Sequence, residues 1–144
     1  MNREEIMQLL PHRDQMLLLD QVENMDGTAV GQYTVRGDEF FLQGHFPGNP
    51  IVPGVILCEI LAQSASVLLQ DMMGEEMLPV YTGLNNVKFR SQVRPGDRIE
   101  TRCRIKRAKH PFYFAEGTVT VDGRLCASAE FSFAISVVSP EQPF

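Results

Sequence analysis

Cysteine is scarce in this chain. Cys58, Cys103 and Cys126 are an odd number with no CxxC pair, a pattern that suggests neither a disulfide framework nor a zinc knuckle and fits a reducing compartment. Free buried thiols are the expectation. Long hydrophobic runs are missing too: nowhere do about 18 apolar residues follow one another, and the N-terminus MNREEIMQLLPHRD is charged early, without the apolar stretch of a signal peptide. A soluble, cytoplasmic protein is expected. Positive charge is in deficit, with 13 Lys and Arg against 18 Asp and Glu and a net charge of −5. That balance argues against chain-wide affinity for nucleic acid or an anionic membrane, while leaving room for local basic patches. Low-complexity segments, internal repeats and linkers are absent. With 144 residues, 44% of them hydrophobic, residues 1–144 are read as a single domain with one core.

What is present orders itself by period and punctuation. Asn2 with Glu5 three residues on reads as a capping box opening a short helix through Leu10, which Pro11 ends. Met16 to Val22 reads as a strand, and after a turn at Asp26-Gly27, Ala29 to Val35 reads as a second. The segment GHFPGNPIVPG, residues 44 to 54, packs three Gly and three Pro into eleven residues and is a stiffened, irregular loop. From about Pro53 a helix runs to roughly Met73, with Gly74 as its stop and apolar residues on nearly every side, the mark of a helix buried by other elements. Strands then follow one another: Val80 to Phe89, Arg98 to Ala108, Phe112 to Val121 and Arg124 to Val138. Asp122-Gly123 between the last two is a strong hairpin signal. One long buried helix with five or six largely antiparallel strands is an α+β pattern, the sheet wrapped on the helix.

Within that helix Glu59 stands among Val55, Ile56, Leu57, Ile60, Leu61 and Ala62, where a carboxylate loses water that only specific partners replace. The run GHFPGNPIVPGV with Glu59, Ala62 and Gln63 resembles the signature of the (3R)-hydroxyacyl-[acyl carrier protein] dehydratases of bacterial fatty acid synthesis. Leu10-Pro11-His12-Arg13 with Leu17-Leu18-Leu19-Asp20 is similar to the family's opening. Lys88-Phe89-Arg90 and Pro95-Gly96-Asp97 are similar to its middle, and Val121-Asp122-Gly123 to its last hairpin. The resemblance covers nearly the whole chain. It implies a hot-dog fold, a curved antiparallel sheet around a central helix, and homodimers in which two sheets join, commonly assembled as trimers of dimers. It also implies that the His of one subunit works against the Glu of the other, and His45 and Glu59 match that pair.

The chemistry can be argued beside the resemblance. Removing water from a 3-hydroxyacyl thioester needs a base for a C2 proton, a donor for the leaving hydroxyl and stabilisation of charge on the thioester oxygen. His45 suits the first, since a neutral imidazole accepts a proton near neutral pH. Glu59 suits the second if apolar burial keeps its carboxyl protonated. The amides of Gly54 or Val55 at the helix start suit the third, with Gly54 permitting close approach. Gln63, one turn after Glu59, is placed to orient it or a water.

Against these stand plainer readings: a structural ion pair of Glu59 with Arg13, and structural or surface roles for His12 and His110. No metal-ligand spacing links the histidines and cysteines, and the reaction calls for no cofactor. The nearest functional alternatives are a dehydratase that also isomerises the double bond of a 3-hydroxydecanoyl substrate, a hot-dog acyl thioesterase and a non-catalytic acyl-binding sensor. Glutamate rather than aspartate at 59 favours the broad-range dehydratase. Gln15 and Gln92 occupy positions where the family commonly has proline, which loosens two loops. Val80 aligns with a position where the family often carries a tunnel-gating tyrosine, and the neighbouring Tyr81 falls on the opposite strand face by alternation. An acidic acyl carrier protein as partner requires a local basic surface. Lys88, Arg90 and Arg94 are the favoured docking residues, with Arg102, Arg104 and Lys106 as the second choice.

Overall fold

The computed structural model describes residues 1–72 and 77–137. Two helices and six strands make the framework: α1 (Arg3–Leu9), β1 (Gln21–Met25), β2 (Thr28–Thr34), α2 (Gly54–Ala65), β3 (Met77–Phe89), β4 (Arg98–Lys109), β5 (Phe112–Val121) and β6 (Arg124–Val137). The strands form one antiparallel sheet in the order β1-β2-β4-β5-β6-β3. The sheet wraps α2, which lays its buried Leu57, Ile60, Leu61 and Ala65 into a core shared with Val119, Phe131 and Phe133. This is the arrangement the sequence and the resemblance imply. Segment Gly54–Asp71 is long and apolar enough to cross a membrane, but 56% of it is buried inside the protein. It is the core helix of the domain.

Local chemistry explains most boundaries. The Asn2 side chain accepts from the Glu5 amide at 2.9 Å while Glu5 accepts from the Asn2 amide, closing the capping box that starts α1. Both hairpin turns, Asp26-Gly27 and Asp122-Gly123, place two successive residues at positive φ, the geometry of the tight turn that Asp-Gly pairs favour. Gly31 is required for a different reason: a Cβ there would stand 2.5 Å from Thr101 Oγ1 and 2.7 Å from Ser64 Oγ. Its absence lets α2 settle onto the sheet.

Three elements differ from the expectation. The strand expected from Val80 starts three residues earlier, at Met77. Met16 to Val22 is not one strand: a 3₁₀ turn covers Asp14–Met16, β1 begins only at Gln21, and Leu17, Leu18 and Leu19 are all buried. No ladder holds their backbone: the Leu17 amide donates to the Asp14 carbonyl at 3.3 Å, Arg3 Nη1 donates to the Leu17 and Leu19 carbonyls, and Gln63 Oε1 accepts from the Leu18 amide at 3.0 Å. The core helix is also shorter than expected. It is α-helical to Ala65 and tightens to 3₁₀ over Ser66–Met72. Ser64 and Ser66 hydroxyls donate to the Ile60 and Ala62 carbonyls, and such back-bonding disturbs a helix. The proposed stop at Gly74 and the strand end at Val138 lie outside the described residues.

Candidate active site

The Gly- and Pro-rich loop holds His45 by backbone hydrogen bonds on both sides. Its amide donates to the Leu42 carbonyl at 3.2 Å, and its carbonyl accepts from the Ile51 amide at 2.9 Å. Phe46 and Asn49 exchange reciprocal backbone bonds at 3.1 and 2.9 Å, closing a tight turn with Gly48 at positive φ. The imidazole stacks on Phe46 at 4.2 Å between ring centres. Its Nδ1 lies 3.0 Å from the Ile51 carbonyl oxygen. A carbonyl only accepts, so Nδ1 carries the hydrogen and the Nε2 lone pair is left for chemistry.

Beside His45 the helix α2 begins. Pro53 is its N-cap and provides no side-chain cap. Among the described residues the amides of Gly54 and Val55 have no hydrogen-bond partner, whereas Ile56 already donates to the Pro53 carbonyl at 3.0 Å. His45, Gly54, Val55 and Phe89 border one cavity of about 560 Å³. An open helix start aimed into a cavity suits developing negative charge. Gly54 has a further role that the sequence did not disclose: a Cβ would stand 2.7 Å from the Phe89 ring, so its small size lets that ring pack on the helix start.

Glu59 borders a second cavity, of about 240 Å³. Its surroundings are more polar than its sequence neighbours suggest. About 24% of the side chain is exposed, and Oε1 lies 3.1 Å from both His12 Nε2 and Gln63 Nε2. Gln63 is buried, also donates to the Met16 carbonyl at 2.8 Å, and therefore ties Glu59 to the N-terminal segment. Arg13 does not form the alternative ion pair, because its guanidinium donates to the carbonyls of Met7, Leu10 and His12. His12 is the residue of the Glu59 cavity that sequence reasoning passed over. It sits in an irregular segment without period, and only its place in the Leu10–Arg13 motif hinted at more than a surface role. His45 borders the other cavity, and His110 contacts Tyr113; among the described residues no three His, Cys, Asp or Glu side chains converge on a metal site.

Pro79, Val80 and Tyr81 run along the wall of the Glu59 cavity. Adjacent strand positions thus both reach its border, although only the Tyr81 hydroxyl reaches back to α2, donating to the Cys58 carbonyl. Burial pushes that phenol well above its ordinary range. The two glutamines at family proline positions are tethered, not loosened: Gln15 Oε1 accepts from the Phe40 amide at 3.0 Å, and Gln92 Oε1 accepts from Arg94 at 2.6 Å.

The basic residues separate. Lys88 and Arg90 border a groove of about 660 Å³ together with Arg102 and Arg104, so two stretches distant in sequence face one depression. Arg94 is not in it; its guanidinium binds Asn49 Oδ1 at 2.6 Å, near the His45 loop. Arg102, Arg104 and Lys106 are paired with Glu100, Glu116 and Glu130. Among the described residues Lys88 and Arg90 have no acidic partner.

The chain matches the FabA-like domain family over residues 10–130. It is 39% identical over 136 residues to the 3-hydroxyacyl-[acyl-carrier-protein] dehydratase FabZ of Petrotoga mobilis, covering 94% of this chain and 98% of the relative. With the protein of the same name from Pseudothermotoga lettingae it shares 42% identity over 130 residues, covering 90% and 92% of the two chains. Among solved structures, the dehydratase heterocomplex ApeI:P from Xenorhabdus doucetiae superposes with a TM-score of 0.79 at 21% identity, over 94% of this chain and 92% of that one. The E. coli PaaI protein superposes with a TM-score of 0.61 at 15% identity, over 79% and 81%. At such identities these two likenesses show the hot-dog fold alone, whereas the sequence matches span nearly the whole chain and share one family. The chain belongs to the FabA-like family, among its 3-hydroxyacyl-[acyl-carrier-protein] dehydratases.

Proposed function

We propose that the protein catalyses the reversible dehydration of (3R)-3-hydroxyacyl-[acyl carrier protein] to the trans-2-enoyl form in bacterial type II fatty acid synthesis, in the cytoplasm and without a cofactor. The observation that carries this reading is the pairing, in one cavity, of a histidine whose Nδ1 is fixed on the Ile51 carbonyl with the open start of α2. His45 Nε2 takes the C2 proton while the amides of Gly54 and Val55 hold the thioester oxygen. The electron pair left at C2 forms the C2–C3 double bond. The C3 hydroxyl departs as water with the proton of the Glu59 carboxyl, and the reverse steps hydrate the enoyl chain.

His45 and Glu59 border separate cavities of one chain, so the reading requires a second copy. The His45 of one subunit faces the Glu59 of the other across a homodimer. Exposed apolar side chains support such a cover: Phe46 and Val55 near His45, and Leu84 and Phe89 on β3, which is an edge strand. A long edge strand with apolar side chains is a template for pairing with another chain. Three dimers then form the hexamer. The acidic carrier protein docks at Lys88 and Arg90, the unpaired cations of the groove, and Arg90 also borders the His45 cavity. Arg94 supports the rim through Asn49.

Purified protein tested on a ladder of 3-hydroxyacyl-carrier-protein lengths should yield trans-2-enoyl product. Substantial cis-3 product from the 3-hydroxydecanoyl substrate would mark the isomerising relative, and release of free thiol a thioesterase. Binding without turnover would mark a sensor. Size analysis in solution should return a dimer or a multiple of it.

A further inference from the structure

His12 is not explained by the dehydration scheme. Its Nε2 stands 3.1 Å from Glu59 Oε1, in the Glu59 cavity. Its Nδ1 is buried and has no hydrogen-bond partner among the described residues. The two facts together select a tautomer. If Nδ1 carried the hydrogen, a buried donor would be left without an acceptor, the rarer and more costly defect. With the hydrogen on Nε2, the imidazole donates to Glu59 and only a lone pair is left unpaired. Gln63 Nε2 donates to the same oxygen at 3.1 Å, and Gln63 is itself locked by Met16 and Leu18. Oε1 thus receives two N–H donors, while Oε2 receives none from the described residues.

We infer that His12 is a positioning residue: with Gln63 it fills Oε1 of Glu59 and confines the transferable carboxyl proton to Oε2, the oxygen left for substrate. A carboxyl free to carry its proton on either oxygen, or to rotate, presents the donor correctly only part of the time. Donors on one oxygen remove that ambiguity. The other polar groups near the pair do not compete for this role. Tyr81 on β3 donates to the Cys58 carbonyl, and the Arg13 guanidinium is bound to backbone carbonyls. The inference rests on the assignment of Glu59 as proton donor.

The test compares His12→Gln, whose terminal amide N–H reaches the place of Nε2, with His12→Asn, which is too short, and His12→Leu, which keeps bulk without a donor. Kinetics on a 3-hydroxyacyl-carrier-protein substrate are expected to show kcat falling roughly ten- to hundredfold for the Asn and Leu variants with KM little changed. His12→Gln should retain most of kcat. In a Glu59→Gln background, measured as residual turnover at high enzyme concentration, His12→Asn should cost nothing further, because its effect passes through Glu59. Should the Leu variant fail to fold, the Gln and Asn pair carries the comparison. Equal loss in Gln and Asn, full activity in all three, or an undiminished Asn effect in the Glu59→Gln background would each overturn the role of His12. Near-normal turnover by Glu59→Gln alone would instead refute the Glu59 assignment.

Discussion

Gln63 Nε2 donates to Glu59 Oε1 at 3.1 Å and to the Met16 carbonyl at 2.8 Å, while Gln63 Oε1 accepts from the Leu18 amide at 3.0 Å. One buried amide therefore joins the candidate proton donor to Leu18, which is 45 residues from Gln63 in sequence. Gln63→Leu should lower stability by about 1–3 kcal/mol, since it strips the partner from a buried backbone amide. It should also reduce kcat by releasing Glu59. Gln63→Glu should keep the Leu18 contact but lose the donor to the Met16 carbonyl and place a second carboxylate beside Glu59, costing both turnover and stability. Chemical denaturation and steady-state kinetics on the same preparations check both.

The separation of His45 and Glu59 into two cavities leads to a complementation test. His45→Ala and Glu59→Gln should each lose most turnover, by a factor on the order of a hundred or more for a positioned acid or base, and remain folded and oligomeric. Mixed and exchanged, they form heterodimers with one intact site and one site lacking both groups. Activity should recover. Proven exchange without recovery would place both residues of a site on one subunit.

Docking by charge is tested at Lys88 and Arg90, which have no acidic partner among the described residues. Lys88→Glu combined with Arg90→Glu should raise KM for carrier-bound substrate strongly, because like charges then face an acidic partner. Added salt should weaken wild-type recognition through screening, with a Debye length of about 8 Å at physiological ionic strength. A short carrier-free thioester should be turned over nearly as before. Equal loss on both substrates would assign these side chains to the fold or the acyl cavity; loss on neither would turn attention to Arg102, Arg104 and Lys106.

The buried thiols predict a pH dependence. Burial pushes the Cys103 thiol from 9.0 up to about 12, so above about pH 9 the unfolded chain gives up a proton that the folded chain keeps. Stability from this group is complete below that point and falls as pH rises towards 12, with a slope of about 1.4 kcal/mol per pH unit. Denaturation midpoints measured from pH 8 to 11 should decline, and Cys103→Ala or Cys103→Val should flatten the decline. Cys103 is also expected to resist alkylation until the protein unfolds.

Strand period, Asp-Gly turns and the capping box of Asn2 with Glu5 depend on residues close in sequence, so β2, β4, β5, the start of β6 and α1 were legible within a residue or two. The buried helix was legible from its all-round apolar surface, and His45 and Glu59 are candidates from a motif whose loop and helix are continuous in the chain. Tertiary structure decided the rest. Leu17 to Leu19 have the composition of a strand, yet their backbone bonds go to the Asp14 carbonyl and to the side chains of Arg3 and Gln63 instead of a neighbouring strand. Ser64 and Ser66 shorten the α-helix by bonding to carbonyls that composition does not single out. The contact of His12 with Glu59, the joining of Lys88 and Arg90 to Arg102 and Arg104 in one groove, and the division of His45 and Glu59 between two cavities leave no period at all. Each is a distance between segments far apart in the chain, fixed only when the sheet closes around α2.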